Sequence, residues 1–329
     1  MAESPIWITE ADVTSMVSLP DAIDALARVL PMEAQGKAKN MPKGHLMVAA
    51  NDAMHVLGAS VAGEGICGFK NWINVSGKSE TIVELFSMED GRQLAVIEAT
   101  ALGQMRTAAM TGVGTRLLAP EGADEMGIVG SGKQALPQVG ACHAVRPLKR
   151  LRVFSRNPEN RNRFAEAVRA EFDFEVVACE TLEETLRDMP IVTVVTNSTV
   201  PFVTADMLAK GSHFNAMGAI VPARSEFTGD VFDRADLLAV DNVQTIRNMS
   251  AEFRDHFKED EDGWHNVRPI SELILNNVTR PANADLTVFK AMGMGLSDLA
   301  LACDIYKRAR AEGRGHKLPE RVKTPPRLQ

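Results

Sequence analysis

The sequence predicts an α/β protein: a Rossmann-type, doubly wound parallel sheet preceded by an α+β domain with an antiparallel sheet. Residues 127–135, GIVGSGKQA, have the form of a strand, a tight glycine turn and the start of a helix. From Glu125 onwards, strand-like and helix-like segments alternate with short connections, which is typical of a parallel sheet. Residues 45–100 instead contain short alternating apolar segments separated by turn residues, which favours antiparallel pairing.

The elements before the glycine turn follow from local patterns. Residues 6–36 predict a short strand and two helical stretches, with Thr9 as N-cap of the first and Pro20 at the start of the second. After the antiparallel segments, residues 101–119 predict one long helix. We therefore expect a half-β domain of the substrate-binding type over residues 1–119.

The second half predicts the dinucleotide-binding domain, over residues 120–299. Its last part, residues 285–312, is predicted to be helical, and the helix over about 300–329 is expected to pack back on the first domain. The 329 residues are enough for two domains with separate cores.

The overall composition limits the classes of partner. A formal net charge of −7 argues against nucleic acid as the main partner, although local cations still allow an anionic substrate. The first residues lack a signal-peptide pattern, no apolar run is long enough to span a bilayer, and the four cysteines are scattered. We therefore expect a cytoplasmic protein with reduced thiols. Histidine spacing predicts no metal site.

The glycine turn predicts a dinucleotide site. Gly130 permits the tight turn, Gly132 permits a pyrophosphate to approach the main chain, and the small Ala135 permits the helix to pack on its strand. The N–H groups of the turn and the helix start, including those of Ser131, Lys133 and Gln134, are expected to hold the phosphates.

The next strand ends in Ser155, Arg156 and Asn157, where a dinucleotide-binding protein recognises the adenosine ribose. An acidic residue there favours NAD, and arginine or serine favours NADP. Taken alone, this tip favours NADP(H). Arg156 stacking on the adenine or facing solvent would leave NAD(H) fully compatible with this tip.

Two further turns follow predicted strands, at the edge where ligands bind in open α/β sheets. They are Thr196–Ser198 and Met217–Ala219. The complete predicted cofactor-binding set is Thr107, Thr111, Gly130, Ser131, Gly132, Lys133, Gln134, Ser155, Arg156, Asn157, Thr196, Asn197, Ser198, Met217, Gly218 and Ala219.

Cationic residues in the first domain predict a carboxylate site. Lys70 lies mid-strand among apolar neighbours, and Arg106 lies in a helix between small residues. Lys43 and His45 add two potential cations before the first strand of the antiparallel sheet. Cations contributed by separate elements are suited to clamping a carboxylate, whereas a solvated position for each is the alternative.

These segments together resemble the ornithine cyclodeaminase/μ-crystallin superfamily over most of the chain. The matching segments are GFKNWINV around Lys70, MRTAAMTG around Arg106, GIVGSGKQA, VTVVTNS, GSHFNAMG and TVFKAMGMGLSDLALA. The last segment carries Gly293 and Asp298 at the glycine and acid positions of the family.

The resemblance implies a homodimer joined through the N-terminal domains, a nicotinamide cofactor and a small α-amino or α-imino acid substrate. It also implies that Lys70 and Arg106 bind the substrate carboxylate. The arginine that the family carries before the first strand is absent, so Lys43 or His45 is the candidate third ligand.

One departure from the family pattern changes the expected reaction. Ile220 stands where the cyclodeaminases carry an aspartate, and isoleucine neither accepts a proton nor forms a hydrogen bond. Reduction of a C=N bond remains compatible, with Lys70 as proton donor if its pKa is lowered and His45 as the rival donor.

The chain most resembles the imine-reducing members, which suggests reduction of iminosuccinate to L-aspartate by an oxidoreductase that uses NAD(H), with NADP(H) not excluded. A cyclic ketimine reductase or divergent cyclodeaminase is the second interpretation. A non-catalytic, nucleotide- and ligand-binding protein of the μ-crystallin type is the third.

Overall fold

The computed structural model describes residues 4–49, 52–319, 322 and 324–328, which form two eight-stranded sheets with helices between and around them. The strands are β1 (Ile6–Ile8), β2 (Ala38–Asn40), β3 (Gly44–Ala49), β4 (Asp52–Val61), β5 (Ile66–Val75), β6 (Lys78–Ser87), β7 (Gln93–Glu98), β8 (Glu125–Val129), β9 (Arg150–Phe154), β10 (Glu175–Ala178), β11 (Ile191–Val194), β12 (Ser212–Ala216), β13 (Ala235–Val240), β14 (Val267–Pro269), β15 (Leu286–Lys290) and β16 (His316–Lys317).

Several helices begin at capping residues that the sequence supplies. Thr9 caps the first helix through a capping box, and Ser18 does the same for the second, which has proline in its first turn. The helices are α1 (Glu10–Met16), α2 (Leu19–Val29), α3 (Pro31–Ala34), α4 (Thr100–Leu118), α5 (Ala135–Val145), α6 (Pro158–Glu171), α7 (Leu182–Leu186), α8 (Asp230–Arg234), α9 (Val243–Met249), α10 (Ala251–Phe257), α11 (Glu261–His265), α12 (Ile270–Leu275) and α13 (Gly295–Glu312).

The first sheet is mixed and mostly antiparallel. Its strand order is β16-β1-β7-β6-β5-β4-β2, with β3 paired to β4. The antiparallel pairing of β3 to β7 confirms the prediction for residues 45–100. The β1–β7 pair is parallel, because the chain returns to this edge only after the long meander.

The second sheet is entirely parallel and confirms the Rossmann prediction. Its order is β10-β9-β8-β11-β12-β15-β13-β14. Strand β8, which leads into the glycine turn, pairs with β9 on one side and β11 on the other. The chain therefore changes direction across the sheet at β8, and the crevice beside its carboxyl end is where such sheets bind ligands.

Two predictions for the C-terminal part were wrong. The helix expected over about 300–329 ends at Glu312, where Gly313 is left-handed (φ +66°), and His316–Lys317 forms β16 beside β1. The segment 285–312 was predicted to be helical throughout, but Leu286–Lys290 forms β15, between β12 and β13, and the helix begins only at Gly295. All five strand residues are buried. A short apolar run buried on both faces of a parallel sheet has no period-2 pattern, so periodicity does not distinguish it from a buried helix.

Helix α4 lies between the two sheets and brings Arg106 to the cleft. Its packing is close because of small residues: a Cβ on Gly112 would lie 2.5 Å from Ile23 Cδ1, and one on Gly114 would lie 2.6 Å from Phe289 Cδ1. Helix α13 packs against α2, β4 and β5. The first sheet, α4 and α13 thus form one core, from which Lys70 and Arg106 project. The predicted domain boundaries stay a prediction.

Candidate active site

A cavity of about 740 Å³ lies at the carboxyl ends of β8, β9 and β11. Nine of the predicted cofactor-binding residues line it: Gly130, Ser131, Gly132, Ser155, Arg156, Asn157, Thr196, Asn197 and Ser198. The sequence therefore located the residues of this cleft, which the parallel sheet brings together from three separate segments.

The glycine turn has the geometry that a dinucleotide requires. Gly130 has φ +121°, and a Cβ there would lie 2.5 Å from the carbonyl oxygen of Val195. At Gly132 no atom lies within 4 Å of a Cβ position, so the main chain faces open space there. Ala135 is completely buried at the start of α5. The turn and the first N–H groups of α5 therefore fit a pyrophosphate.

The ribose end of this cavity is polar, and its one charged side chain among the described lining residues is Arg156. Ser131 Oγ donates a hydrogen bond to Ser155 Oγ at 3.0 Å. Asn157 caps α6, accepting a hydrogen bond from the Asn160 N–H. Asn157 therefore has a structural role in addition to lining the cleft.

A second cavity, of about 590 Å³, continues from the first, with which it shares Gly132, Val195, Thr196 and Asn197. Residues of both halves of the chain line it. The charged residues among its described lining are Lys70, Arg106, Lys133 and Arg224, all cationic. Such a lining is suited to an anionic ligand beside the dinucleotide cleft.

Lys70 and Arg106 share one buried carboxylate. Lys70 Nζ and Arg106 Nε each lie 2.8 Å from the same oxygen, Oδ1 of Asp298, and Asp298 is completely buried. Lys70 itself is 4% exposed. Two cations and one carboxylate leave a local charge of +1, which complements one substrate carboxylate. This cluster joins β5, α4 and α13.

The surroundings of Lys70 change its proton affinity. Burial lowers the pKa of Lys70 to about 8, with the charge of Arg106 acting in the same direction and Asp298 opposing both. The ammonium also lies 4.8 Å from the centre of the Trp72 ring. Lys70 thus exchanges its proton near neutral pH, which a general acid requires.

Lys43 and His45, the two other predicted cations, lie outside this cluster, and Lys43 is the nearer of the two in its electrostatic effect. Lys43 Nζ is 5.7 Å from the Trp72 ring centre, and burial followed by the charge of Arg106 lowers its pKa. His45 is exposed on β3, 3.2 Å from Met47 Sδ, and with His55 it lines a third cavity, which shares Trp72 and Thr81 with the cavity of Lys70. Neither side chain lines the cavity of Lys70.

The remaining predicted residues divide between the lining and its support. Thr107, Lys133, Gln134, Met217 and Gly218 line the second cavity. Thr111 is completely buried in α4 and Ala219 is buried behind the turn, and neither lines either cavity. Ile220 lines the second cavity, so an apolar side chain faces the ligand space where the cyclodeaminases carry an aspartate.

Sequence reasoning missed three polar residues at this cleft. Arg224 lines it, and Glu226 supports two of its turns. Asp241 follows β13 and accepts hydrogen bonds from the N–H groups of Met292 (2.9 Å) and Gly293 (2.7 Å). Burial raises the pKa of Asp241 to about 6. The rule that functional groups follow parallel strands would have found Asp241, but not the other two.

In the part of the chain that the structure describes, no helix has the length and apolar character needed to cross a membrane. Across those same residues, no group of three or more His, Cys, Asp or Glu side chains is arranged to hold a metal ion.

The parallel sheet, the glycine turn and the cationic cavity define an α/β protein with a dinucleotide-type cleft and an adjoining anion site. The chain belongs to the ornithine cyclodeaminase/mu-crystallin family, whose sequence profile matches residues 4–313.

Three comparisons illustrate this relationship. The chain is 28% identical to a Bacillus cereus Delta(1)-pyrroline-2-carboxylate reductase over 242 residues, 72% of this chain and 73% of that one. It is 24% identical to the iminosuccinate reductase of Paracoccus denitrificans over 318 residues, 93% and 97% of the two chains. The Thermococcus litoralis Delta(1)-pyrroline-2-carboxylate reductase, solved with NADH and L-proline, superposes with a TM-score of 0.89 over 95% of this chain and 100% of that one, at 24% identity.

Proposed function

We propose that this protein is an NAD(H)-dependent reductase that converts a small α-imino acid, in the first instance iminosuccinate, to an L-amino acid, here L-aspartate. The observation that carries the proposal is the buried Lys70–Asp298–Arg106 cluster beside a dinucleotide-type cleft. Ile220, in place of an acid, supports reduction over cyclisation with loss of ammonia.

Lys70 and Arg106 each have a defined task in this reaction, and Asp298 holds both of them in place. Arg106 and Lys70 bind the substrate carboxylate, and Lys70 Nζ delivers a proton to the imine nitrogen. The glycine turn and Thr196–Ser198 hold the coenzyme, which supplies a hydride to the imine carbon when it is bound. One hydride and one proton convert the C=N bond to an amine, so the atoms and charges balance.

Arg224 supports a dicarboxylate substrate. Its guanidinium donates a hydrogen bond to Asn197 Oδ1 at 2.8 Å, and no ion pair joins it to a carboxylate in the described chain. Its charge is therefore available within the cavity that Lys70 and Arg106 line. A second carboxylate, as in iminosuccinate, is the ligand group that this charge would pair with.

The relatives support both the reaction and the coenzyme. The Paracoccus protein is an iminosuccinate reductase by name, and the Thermococcus structure contains NADH. Because Arg156 is the charged side chain at the ribose end of the cleft, the test below includes NADPH beside NADH.

The test is coenzyme oxidation by the purified protein with oxaloacetate plus ammonium, pyruvate plus ammonium, or pyrroline-2-carboxylate. We expect the highest kcat/KM with the imine of oxaloacetate. Arg224→Ala should lower kcat/KM for this substrate by about 10- to 100-fold, since a hydrogen bond to a charged group contributes about 1.5–3 kcal/mol. The pyruvate imine, which lacks the second carboxylate, should be unaffected.

The control is Arg247→Ala, because Arg247 pairs with Glu261 on the surface of the same half of the chain. It should leave all three rates unchanged. Failure of every imine to oxidise either coenzyme would overturn the proposal. Coenzyme binding in a calorimeter without such turnover would instead support the non-catalytic, μ-crystallin-like alternative.

A cyclic ketimine reductase is the second candidate, because apolar side chains also line the cavity. Trp72, Met110, Ile220 and Met292 are suited to an apolar ring. The Bacillus cereus relative, named for pyrroline-2-carboxylate reduction, supports it as well. Turnover of pyrroline-2-carboxylate in preference to both open-chain imines would favour this candidate.

We also propose that the chain forms a homodimer through its first sheet. Leu46, Met47 and Val48 are consecutive in β3 and are 49–61% exposed, so both faces of this strand are uncovered. Met54 and Ile73 extend the apolar surface onto β4 and β5. Light scattering should give twice the monomer mass, and Leu46→Glu should lower it. A monomeric wild-type protein at micromolar concentration would contradict this.

A further inference from the structure

A single buried carboxylate joins the turns that follow β11 and β12. Glu226 Oε1 accepts hydrogen bonds from the N–H of Thr196 at 2.6 Å and from its Oγ1 at 2.8 Å. Glu226 Oε2 accepts from the N–H groups of Gly218 at 2.8 Å and Ala219 at 3.0 Å. Glu226 is completely buried. Four donors from two different turns therefore converge on one side chain.

Other buried groups fix Glu226 in turn. Its own N–H donates to Glu252 Oε1 at 3.1 Å, and Glu252 Oε2 accepts from Ser250 Oγ at 2.7 Å. Lys290 Nζ, on β15, lies 3.6 Å from Glu252 Oε1, and both side chains are buried. The positive charge of Lys290 thus offsets part of the cost of burying the Glu252 carboxylate, which in turn accepts from the Glu226 N–H.

The contact between the two turns leaves little room for movement. A Cβ on Gly218 would lie 2.2 Å from the Thr196 nitrogen and 2.3 Å from Glu226 Oε1. Thr196 and Gly218 also line the second cavity, and Thr196 lines the first. Glu226 therefore fixes the distance between the Thr196 turn and the Gly218 turn, which form two sides of the cleft.

We propose that Glu226 is a positioning residue that holds the turns after β11 and β12 at the separation the coenzyme requires. It contacts neither cavity itself, so it acts through Thr196 and Gly218. The proposal rests on the proposed function in one respect: the ligand between these turns and Lys70 is taken to be a nicotinamide coenzyme.

The chemistry of the four partners requires a carboxylate. All four are donors, and an ionised carboxylate is the side chain that only accepts. A glutamine has the same shape, but its NH₂ group is a donor. On one of the two turns it would therefore face another N–H donor and form no hydrogen bond with it. Glu226→Gln therefore preserves volume while breaking the hydrogen bonds on one side, which makes it the informative substitution.

The first measurement is hydrogen–deuterium exchange on the coenzyme-free protein. Two peptides are informative: one contains Thr196, and the other contains Gly218 and Ala219. Glu226→Gln should speed amide exchange at least tenfold in one or both of them, because at least one turn loses its acceptor. Exchange elsewhere in the second sheet should change little. Unchanged exchange in both peptides would overturn the proposal.

The second measurement is NADH affinity and steady-state kinetics. We expect Glu226→Gln to raise the Kd for NADH at least tenfold and to lower kcat with each productive imine, while the KM for the imine changes less. Faster exchange with wild-type NADH affinity and kcat would show a structural role alone and would overturn the proposal.

Asp285→Asn is the matched control. Asp285 is also a carboxylate that accepts several hydrogen bonds, from Arg234 Nε and Nη2, but it precedes β15, at the amino end of this strand, whereas the cleft lies at the carboxyl ends. It should alter neither NADH affinity nor exchange in the two peptides. If Glu226→Gln does not fold, Thr196→Val removes the hydrogen bond that Oγ1 donates to Glu226, together with the one that Oγ1 accepts from the Ser198 N–H. Because Glu226 is then held less firmly, exchange in the peptide that contains Gly218 and Ala219 should speed up by a smaller factor; unchanged exchange there would count against the proposal.

The two proposals fail in different ways. A wild-type protein that binds NADH but reduces no imine would overturn the proposed function, and exchange and NADH affinity would still decide the role of Glu226. A wild-type protein that binds neither NADH nor NADPH would overturn both.

Discussion

Lys70→Arg lowers kcat for imine reduction by about 10²- to 10⁴-fold, the usual contribution of a general acid, while NADH affinity stays nearly unchanged. Arginine keeps the positive charge and can still donate to Asp298, so carboxylate binding is largely retained. It does not release a proton at accessible pH, because a guanidinium stays protonated in proteins. The measurement is kcat, KM and NADH affinity of Lys70→Arg beside the wild-type protein.

The pH dependence provides an independent test of the same role. Lys70 donates its proton only while it is protonated, and burial lowers its pKa to about 8. In the wild-type protein kcat/KM should therefore be constant below this pH and fall as the pH rises through about 8. The residual activity of Lys70→Arg should lack this fall, because no group at this position then titrates.

Lys149→Arg is the control, since Lys149 pairs with Asp124 at the surface. It should retain wild-type kcat and pH dependence. Weakened NADH binding by Lys70→Arg would mean that Lys70 supports the coenzyme site instead, and near-normal kcat would exclude it as the donor.

The sequence predicted those parts of the site that depend on local patterns. The glycine turn was recognisable because Gly130, Gly132 and Ala135 have a fixed spacing that serves one local geometry. Strand ends were recognisable because parallel strands bring their carboxyl ends to one edge. Lys70 and Arg106 were predicted from their surroundings and from the resemblance, but their convergence on one oxygen was not.

The rest depends on contacts between segments that are distant in sequence. Glu226 lies in a loop without periodic pattern, and its partners are placed by two different strands. His45 was a candidate proton donor because histidine ordinarily titrates near neutrality. The pairing of β3 with β4 places it beside His55, in the neighbouring cavity that shares Trp72 and Thr81 with the cavity of Lys70. Strand register determined this position, and register depends on cross-strand packing that local sequence patterns do not reveal.

Asp298→Asn is expected to have the largest effect on stability, because it leaves two cations without their buried carboxylate. Removing one partner of a buried ion pair typically costs about 3–5 kcal/mol of unfolding free energy. Asp298 is completely buried and both of its partners lie at 2.8 Å, so solvent does not replace the lost contacts. Denaturant unfolding, with an unchanged m value, is the measurement.

The same substitution should also move the pH profile. The charge of Asp298 raises the pKa of Lys70, opposing the effects of burial and of Arg106. Without that charge the pKa of Lys70 falls further, so the decline of kcat/KM should begin below the wild-type value of about 8. A shift to higher pH, or none, would mean that Asp298 does not control the proton on Lys70.

Asp304→Asn separates these effects from a general weakening of α13. Asp304 lies on the same helix and also pairs with two arginines, Arg28 at 2.8 Å and Arg308 at 3.2 Å, but near the surface. Exposed pairs contribute about 0–1 kcal/mol, so this variant should be nearly as stable as the wild-type protein and keep its pH profile. If both variants lost the same unfolding free energy, burial of the Asp298 carboxylate would not explain the loss of stability in Asp298→Asn.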